Sequence, residues 1–193
     1  MTLTIPTALT LFRIALIPVM VLVFYAPIEH ARFWAALVFT VGALTDWLDG
    51  WIARRFDMYS AFGAFLDPVA DKLAVAAALF IVVQANPTPW LALLSAVIVG
   101  REITISALRE WMAGIGARGA VAVAWVGKLK TIVQMVAIVA LLIGPSLWLG
   151  PHLPRLPTET LGEALLGVAA ALTLWAAADY LRAAWPALSR GRR

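Results

Sequence analysis

The sequence contains no cysteine and only two histidines among its 193 residues. Without thiols, a disulfide framework, a thiolate nucleophile and a cysteine-ligated zinc are all excluded. His30 and His152 fall in predicted outer loops, which disfavours histidine-ligated zinc and the Ser/His/Asp and Cys/His catalytic schemes. Charge is scarce as well: 13% of residues are charged and 63% are hydrophobic, against roughly a quarter and a half in soluble domains. With a mean hydropathy of +0.89, lipid is the expected solvent. A formal charge of +4 and a pI near 10.0 would suggest nucleic acid in a soluble protein. In an apolar chain, basic residues beside hydrophobic spans fix orientation instead, and no nucleic-acid partner is expected.

A membrane span needs about 20 mostly apolar residues. About six such stretches are present, near Leu9–Ala26, Ala31–Leu48, Phe62–Ala85, Trp90–Leu108, Val126–Ile143 and Leu161–Leu181. They are continuously apolar and do not alternate with period two, so the expected fold class is all-α, an integral membrane bundle of six transmembrane helices. Arg13 interrupts the first stretch and no small-residue cleavage pattern follows, which reads as a retained helix and not a signal peptide. Lys and Arg gather on the N-terminal side of this arrangement, with only Arg32 and Arg155 on the other. Both termini are therefore expected in the cytoplasm. Trp90, Trp111, Trp125, Trp148 and Trp185 lie near span ends, as interfacial anchors do. No repeat or long linker divides the chain, so residues 1–193 read as one domain, with a proline-rich outer loop at 151–157.

Five of the six aspartates, Asp46, Asp49, Asp57, Asp67 and Asp71, fall within 26 residues. Asp46 and Asp49 are spaced i,i+3 at the end of the second stretch, and Asp67 and Asp71 i,i+4 at the start of the third. Each pair occupies one face of a helix. Carboxylates near hydrocarbon are costly unless they face the bundle interior, pair with cations or bind metal. Lys72, Arg54 and Arg55 could supply ion pairs, giving a merely salt-bridged hairpin. Four carboxylates on two facing helices also match two divalent ions in charge, and all-oxygen ligation suits Mg²⁺ or Mn²⁺ in a phosphoryl-transfer clamp. Gly50 and Gly63 share the acidic faces, where a missing Cβ lets a ligand approach the backbone, although close helix packing uses the same residue. Pro68 is expected to kink or begin the third helix, and Asp57 reads as a solvated loop charge.

The segments Asp46-Trp47-Leu48-Asp49-Gly50-Trp51-Ile52-Ala53-Arg54 and Gly63-Ala64-Phe65-Leu66-Asp67-Pro68-Val69-Ala70-Asp71 fit D-x2-D-G-x2-A-R-x8-G-x3-D-x3-D. This pattern resembles the CDP-alcohol phosphatidyltransferase family at every fixed position. The resemblance implies a six-helix membrane core whose site opens to the cytoplasmic side, in a cell inner (plasma) membrane. It implies that Asp46, Asp49, Asp67 and Asp71 bind two divalent metal ions, Mg²⁺ or Mn²⁺, and that Asp71 is the general base. Gly50, Arg54, Ser60 and Gly63 are the implied contacts to the CDP part of CDP-diacylglycerol. A homodimer is the implied assembly.

The acceptor is expected to be anionic, because Arg101, Arg109, Arg118, Lys128 and Lys130 gather on the side of the aspartates, although a topological charge bias explains part of this. Lys128 and Lys130 open an apolar span, a costly position unless they snorkel or meet a phosphate. The stretches 5–13, 101–111 and 127–131 resemble the bacterial branch of the family that uses glycerol 3-phosphate. Arg101, Arg109, Lys128 and Lys130 are then the candidates for the acceptor phosphate. Inositol phosphate and serine remain alternative acceptors. An ion-coupled transporter is the rival from another class, since intramembrane aspartates often mark ion paths. A purely structural membrane subunit would leave the carboxylates without a purpose.

Overall fold

The structure, a computed structural model, describes residues 4–56, 60–115, 125–145, 147 and 156–190. Six helices make up the described chain: α1 (Ile5–Tyr25), α2 (Ala31–Phe56), α3 (Ala61–Ala85), α4 (Pro89–Gly114), α5 (Trp125–Ile143) and α6 (Thr158–Arg190). The all-α expectation holds. Three of them, over Ile5–Tyr25, Pro89–Gly114 and Thr158–Arg182, are long and apolar enough to cross a membrane, and α5 has a shorter apolar run, Leu129–Ile143. The only β pairing among the described residues is an isolated bridge between Leu147 and Leu156. It flanks the proline-rich loop, whose residues 151–155, His152 among them, lie outside the described residues.

Successive helices run up and down, so the starts of α1, α3 and α5 and the ends of α2, α4 and α6 share one end of the bundle. Helix α1 packs on α2 and α3, α5 on α6 and α2, and α4 on α6 and α3. The core joins small residues (Ala35, Ala36, Ala78, Ala137, Ala170) to larger ones (Met20, Leu79, Leu91, Ile98, Ile138, Leu142, Leu166). Small side chains let helix backbones approach in lipid, where packing and not water expulsion drives association. The outer surface is apolar too: Leu22, Leu44, Phe65, Phe80, Ile132 and Trp175 are all exposed. So many large apolar side chains exposed on five helices are unusual for a soluble monomer, whereas lipid-facing surface is necessarily apolar. Trp90, Trp111 and Trp185 are exposed near helix ends, as anchors require; Trp148 and the side chain of Trp125 lie outside the described residues.

Hydroxyl caps fix where three of the helices begin. Thr4, Ser60 and Thr88 cap α1, α3 and α4, accepting from the backbone N–H of Thr7, Gly63 and Leu91 respectively. Each satisfies a donor that the first turn leaves orphaned. The Ser60 cap starts α3 at Ala61, so Pro68 sits inside that helix and does not begin it. Helices also outlast the apolar runs: α2 continues to Phe56, α4 to Gly114 and α6 to Arg190. Helical hydrogen bonding does not stop where hydrophobicity does.

Candidate active site

The site-bearing end is organised by α1. Thr7, Thr10 and Arg13, spaced three apart, are all buried, each step of three carrying the row to an adjoining part of the same helix side. Thr7 shares a hydrogen bond with Ser60 at 2.8 Å, and Ser60 also caps α3 through Gly63 N–H at 2.9 Å. A Cβ on Gly63 would stand 2.9 Å from both the Thr7 and Ser60 hydroxyls, so this glycine lets α3 close onto α1. The packing role weighed for it is thus present. Gly50 is half-buried on α2, and Gly42 lies against the stem of Arg13.

Both aspartate pairs lie on helices, α2 and α3, as their spacing requires. Their cation is unexpected. The Arg13 guanidinium, 3% exposed, donates from Nη1 to Asp46 and from Nη2 to Asp49. Thr10 donates its hydroxyl to Asp67. Lys72, one of the cations expected to pair with the acids, donates to the carbonyl of Pro68 at 3.0 Å. The side chain of Arg54 lies outside the described residues, as do Asp57 and Arg118. Asp49 is buried while the Asp46 side chain is 50% exposed. Asp71 has Asp46, Glu102, Arg13 and Lys72 as charged neighbours. Hard oxygen donors, four carboxylates without a competing thiol or imidazole, fit Mg²⁺ or Mn²⁺ in kind and charge. Among the described residues no three acidic side chains converge on one cation position; Arg13 and Thr10 engage three of the four aspartates.

Lys130 of α5, a charged neighbour of Asp71, is buried and donates to Glu102 of α4. Arg101 contacts the same carboxylate at 3.3 Å, and its Nε is buried without a partner. Arg101, Lys130 and Asp71 are therefore brought together, with Arg101 and Asp71 both among the charged neighbours of Lys130. Arg109 is not part of this group. It is exposed, with its guanidinium 6.0 Å from the centre of the Tyr180 ring on α6. Lys128 is on α5, its side chain outside the described residues.

A cavity of about 340 Å³ begins at Arg13, Asp46 and Asp71 and is walled beyond them by Leu16, Met20, Phe39, Ile132, Met135 and Val136. From Arg13 to Met20 along α1 is roughly 10 Å of helix. The cavity thus joins charged groups at one end to an apolar slot between α1, α2, α3 and α5, which suits an amphiphile with an anionic head.

Comparison with known sequences decides between the enzyme and transporter readings of such a site. The profile described as CDP-alcohol phosphatidyltransferase matches residues 3–175. The chain belongs to that family. Two relatives, from Escherichia coli (strain K12) and Shigella flexneri serotype 5b (strain 8401), are each 53% identical over 180 residues, covering 93% of this chain and 94% of theirs. Both carry the name CDP-diacylglycerol–glycerol-3-phosphate 3-phosphatidyltransferase.

In this CDP-alcohol phosphatidyltransferase, sequence reasoning overlooked Arg13, Thr10 and Glu102. In the sequence Arg13 bears on the retained first helix and on orientation, not on the aspartates. Two signals pointed further: an arginine in the third turn of an apolar helix needs a buried partner, and Thr10 and Arg13, three apart, share one face. Glu102 had no comparable signal, since its partner Lys130 lies 28 residues away on another helix.

Proposed function

We propose that the protein transfers the phosphatidyl group of CDP-diacylglycerol to glycerol 3-phosphate, giving phosphatidylglycerophosphate and CMP. One observation carries this reading: Asp71 lines the same cavity as Arg13 and Asp46 and also has Glu102 and Lys130 of the second cluster among its charged neighbours. The aspartates suit a metal-bound diphosphate, and the second cluster suits an anionic acceptor. The apolar cavity leading away from Arg13, Asp46 and Asp71 suits the acyl part of the donor.

The roles follow from that division. Asp46, Asp49, Asp67 and Asp71 would hold two divalent cations, which when bound neutralise the diphosphate and stabilise CMP as leaving group. Gly50, Arg54, Ser60 and Gly63 are assigned to the CDP moiety on the family pattern. Ser60 has a structural duty as well, as cap of α3 and partner of Thr7. Asp71 accepts the proton of the acceptor hydroxyl as its oxygen bonds to the phosphatidyl phosphorus and the bond from phosphorus to the CMP oxygen breaks. Lys130 and Arg101 bind the acceptor phosphate, with Lys128 beside them by sequence. Arg109 is a weaker candidate, because it leans on Tyr180.

The same reading takes all six helices as membrane spans, with both termini and the site on the cytoplasmic face of the inner membrane and a homodimer as the assembly. The excess of Lys and Arg at the site-bearing end supports that orientation. The test is CMP release from CDP-diacylglycerol by purified protein with Mg²⁺ and, in turn, glycerol 3-phosphate, glycerol, inositol phosphate and serine. Glycerol 3-phosphate should be preferred by a wide margin. Preference for another alcohol would overturn the acceptor, and release with none of them would overturn the reaction.

A further inference from the structure

Three of the four signature carboxylates are engaged by one face of α1: Asp46 and Asp49 by Arg13, and Asp67 by Thr10. We propose that Arg13 is a resident counter-cation of the metal site, displaced from Asp46 and Asp49 when divalent metal binds, so that α1 sets how tightly the site takes its metal. This rests on the proposed function, in which those aspartates are metal ligands.

The argument is one of charge in a place with little water. Arg13 is 3% exposed and spans both members of the i,i+3 pair, one terminal nitrogen on each. Asp46 and Asp49 are also the two carboxylates of α2 that a metal would need, so guanidinium and metal call on the same oxygens. Four carboxylates with no cation repel one another strongly, so Arg13 stabilises the unloaded site. Two divalent ions reverse that balance: with them bound, the guanidinium adds a positive charge to a site already neutral, and attraction becomes repulsion. Arg13 Nε is buried without a partner, so the side chain is not locked by a third hydrogen bond. Metal and guanidinium therefore compete, and metal affinity in wild type is lower than the carboxylates alone would give.

The experiment is Mn²⁺ titration of the purified full chain, followed by the electron paramagnetic resonance of free Mn²⁺. Wild type, Arg13→Gln, Arg13→Lys and Asp67→Asn are compared, with thermal melting run with and without Mn²⁺. Arg13→Gln should bind Mn²⁺ more tightly than wild type by about tenfold or more, with Arg13→Lys between them. Its melting temperature without metal should fall, and its gain on adding Mn²⁺ should exceed that of wild type. A residue that merely positions the aspartates would give the opposite sign, so equal or weaker binding in Arg13→Gln overturns the inference. Should Arg13→Gln not fold, Arg13→Lys decides alone: binding no tighter than wild type overturns it. Retention of binding in Asp67→Asn would put the ion elsewhere and overturn it too. Absence of Mn²⁺ binding in every protein, wild type included, would instead remove the metal ligands from the proposed function, and this inference with them.

Discussion

The two ends of the helix bundle handle polar groups in opposite ways. At the far end the ties are neutral or partly solvated: Asn86 donates to Glu159 at 2.6 Å and to Glu163 at 3.2 Å, joining the end of α3 to the start of α6. Tyr25 donates to Gln84 at 2.7 Å on the surface, and Thr158 donates to the carbonyl of Gly144. Gly144 has φ +95°, and a Cβ there would run into the Arg32 side chain. At the site-bearing end, full charges are buried instead, with Arg13 against α2 and Lys130 against α4. Buried ion pairs contribute little net stability over packed apolar residues, whereas removing one partner costs about 3 to 5 kcal/mol. The far end is built as a fastening. The charged end fits the charged ligands of the proposed function.

The largest effect expected from breaking this contrast comes from metal removal at the charged end. Chelation with EDTA should lower turnover by about 100-fold or more, with recovery on adding Mg²⁺ or Mn²⁺; full turnover in a metal-free preparation would contradict the assignment of Asp46, Asp49, Asp67 and Asp71. Next comes the acceptor side. Lys130→Met should raise the glycerol 3-phosphate KM roughly 10- to 100-fold, the scale of a lost charge-assisted hydrogen bond, with far less change in the CDP-diacylglycerol KM. Equal changes in both constants would show a disturbed bundle and not a lost phosphate contact.

At the far end, Gly144→Ala should lower stability by about 1 to 2 kcal/mol, the cost of a side chain in left-handed backbone, with both KM values unchanged. Unaltered melting would mean that Arg32 and the backbone relax freely. The smallest effect is expected from Arg109→Ala, which removes an exposed cation–ring contact. The acceptor KM should change by no more than about threefold. A rise matching that of Lys130→Met would return Arg109 to the phosphate site.

Much of the charged end is legible in the sequence because helical periodicity is. The spacings 46/49 and 67/71 place each aspartate pair on one face, and continuous apolar runs announce the helices. What periodicity cannot express is which faces meet. Arg13 and Asp49 are 36 residues apart, and Lys130 and Glu102 are 28 apart, so those pairings depend on packing between helices. Apolar runs also understate helix length, since α2, α4 and α6 continue as helix beyond them. Of the two expectations for Pro68, that it begins α3 is overturned, because the hydroxyl cap at Ser60 starts the helix at Ala61.

The central claim is that the aspartate end performs phosphatidyl transfer with Asp71 as the proton acceptor. It is tested most directly by measuring, in one reaction, CMP and lipid product from CDP-diacylglycerol and glycerol 3-phosphate, for wild type and Asp71→Asn, beside donor binding to each. Wild type should form CMP and phosphatidylglycerophosphate in equal amounts. Asp71→Asn should still bind donor while turning over about 100-fold more slowly or less. Near-normal turnover by Asp71→Asn, or CMP formed without the matching lipid, would contradict the account.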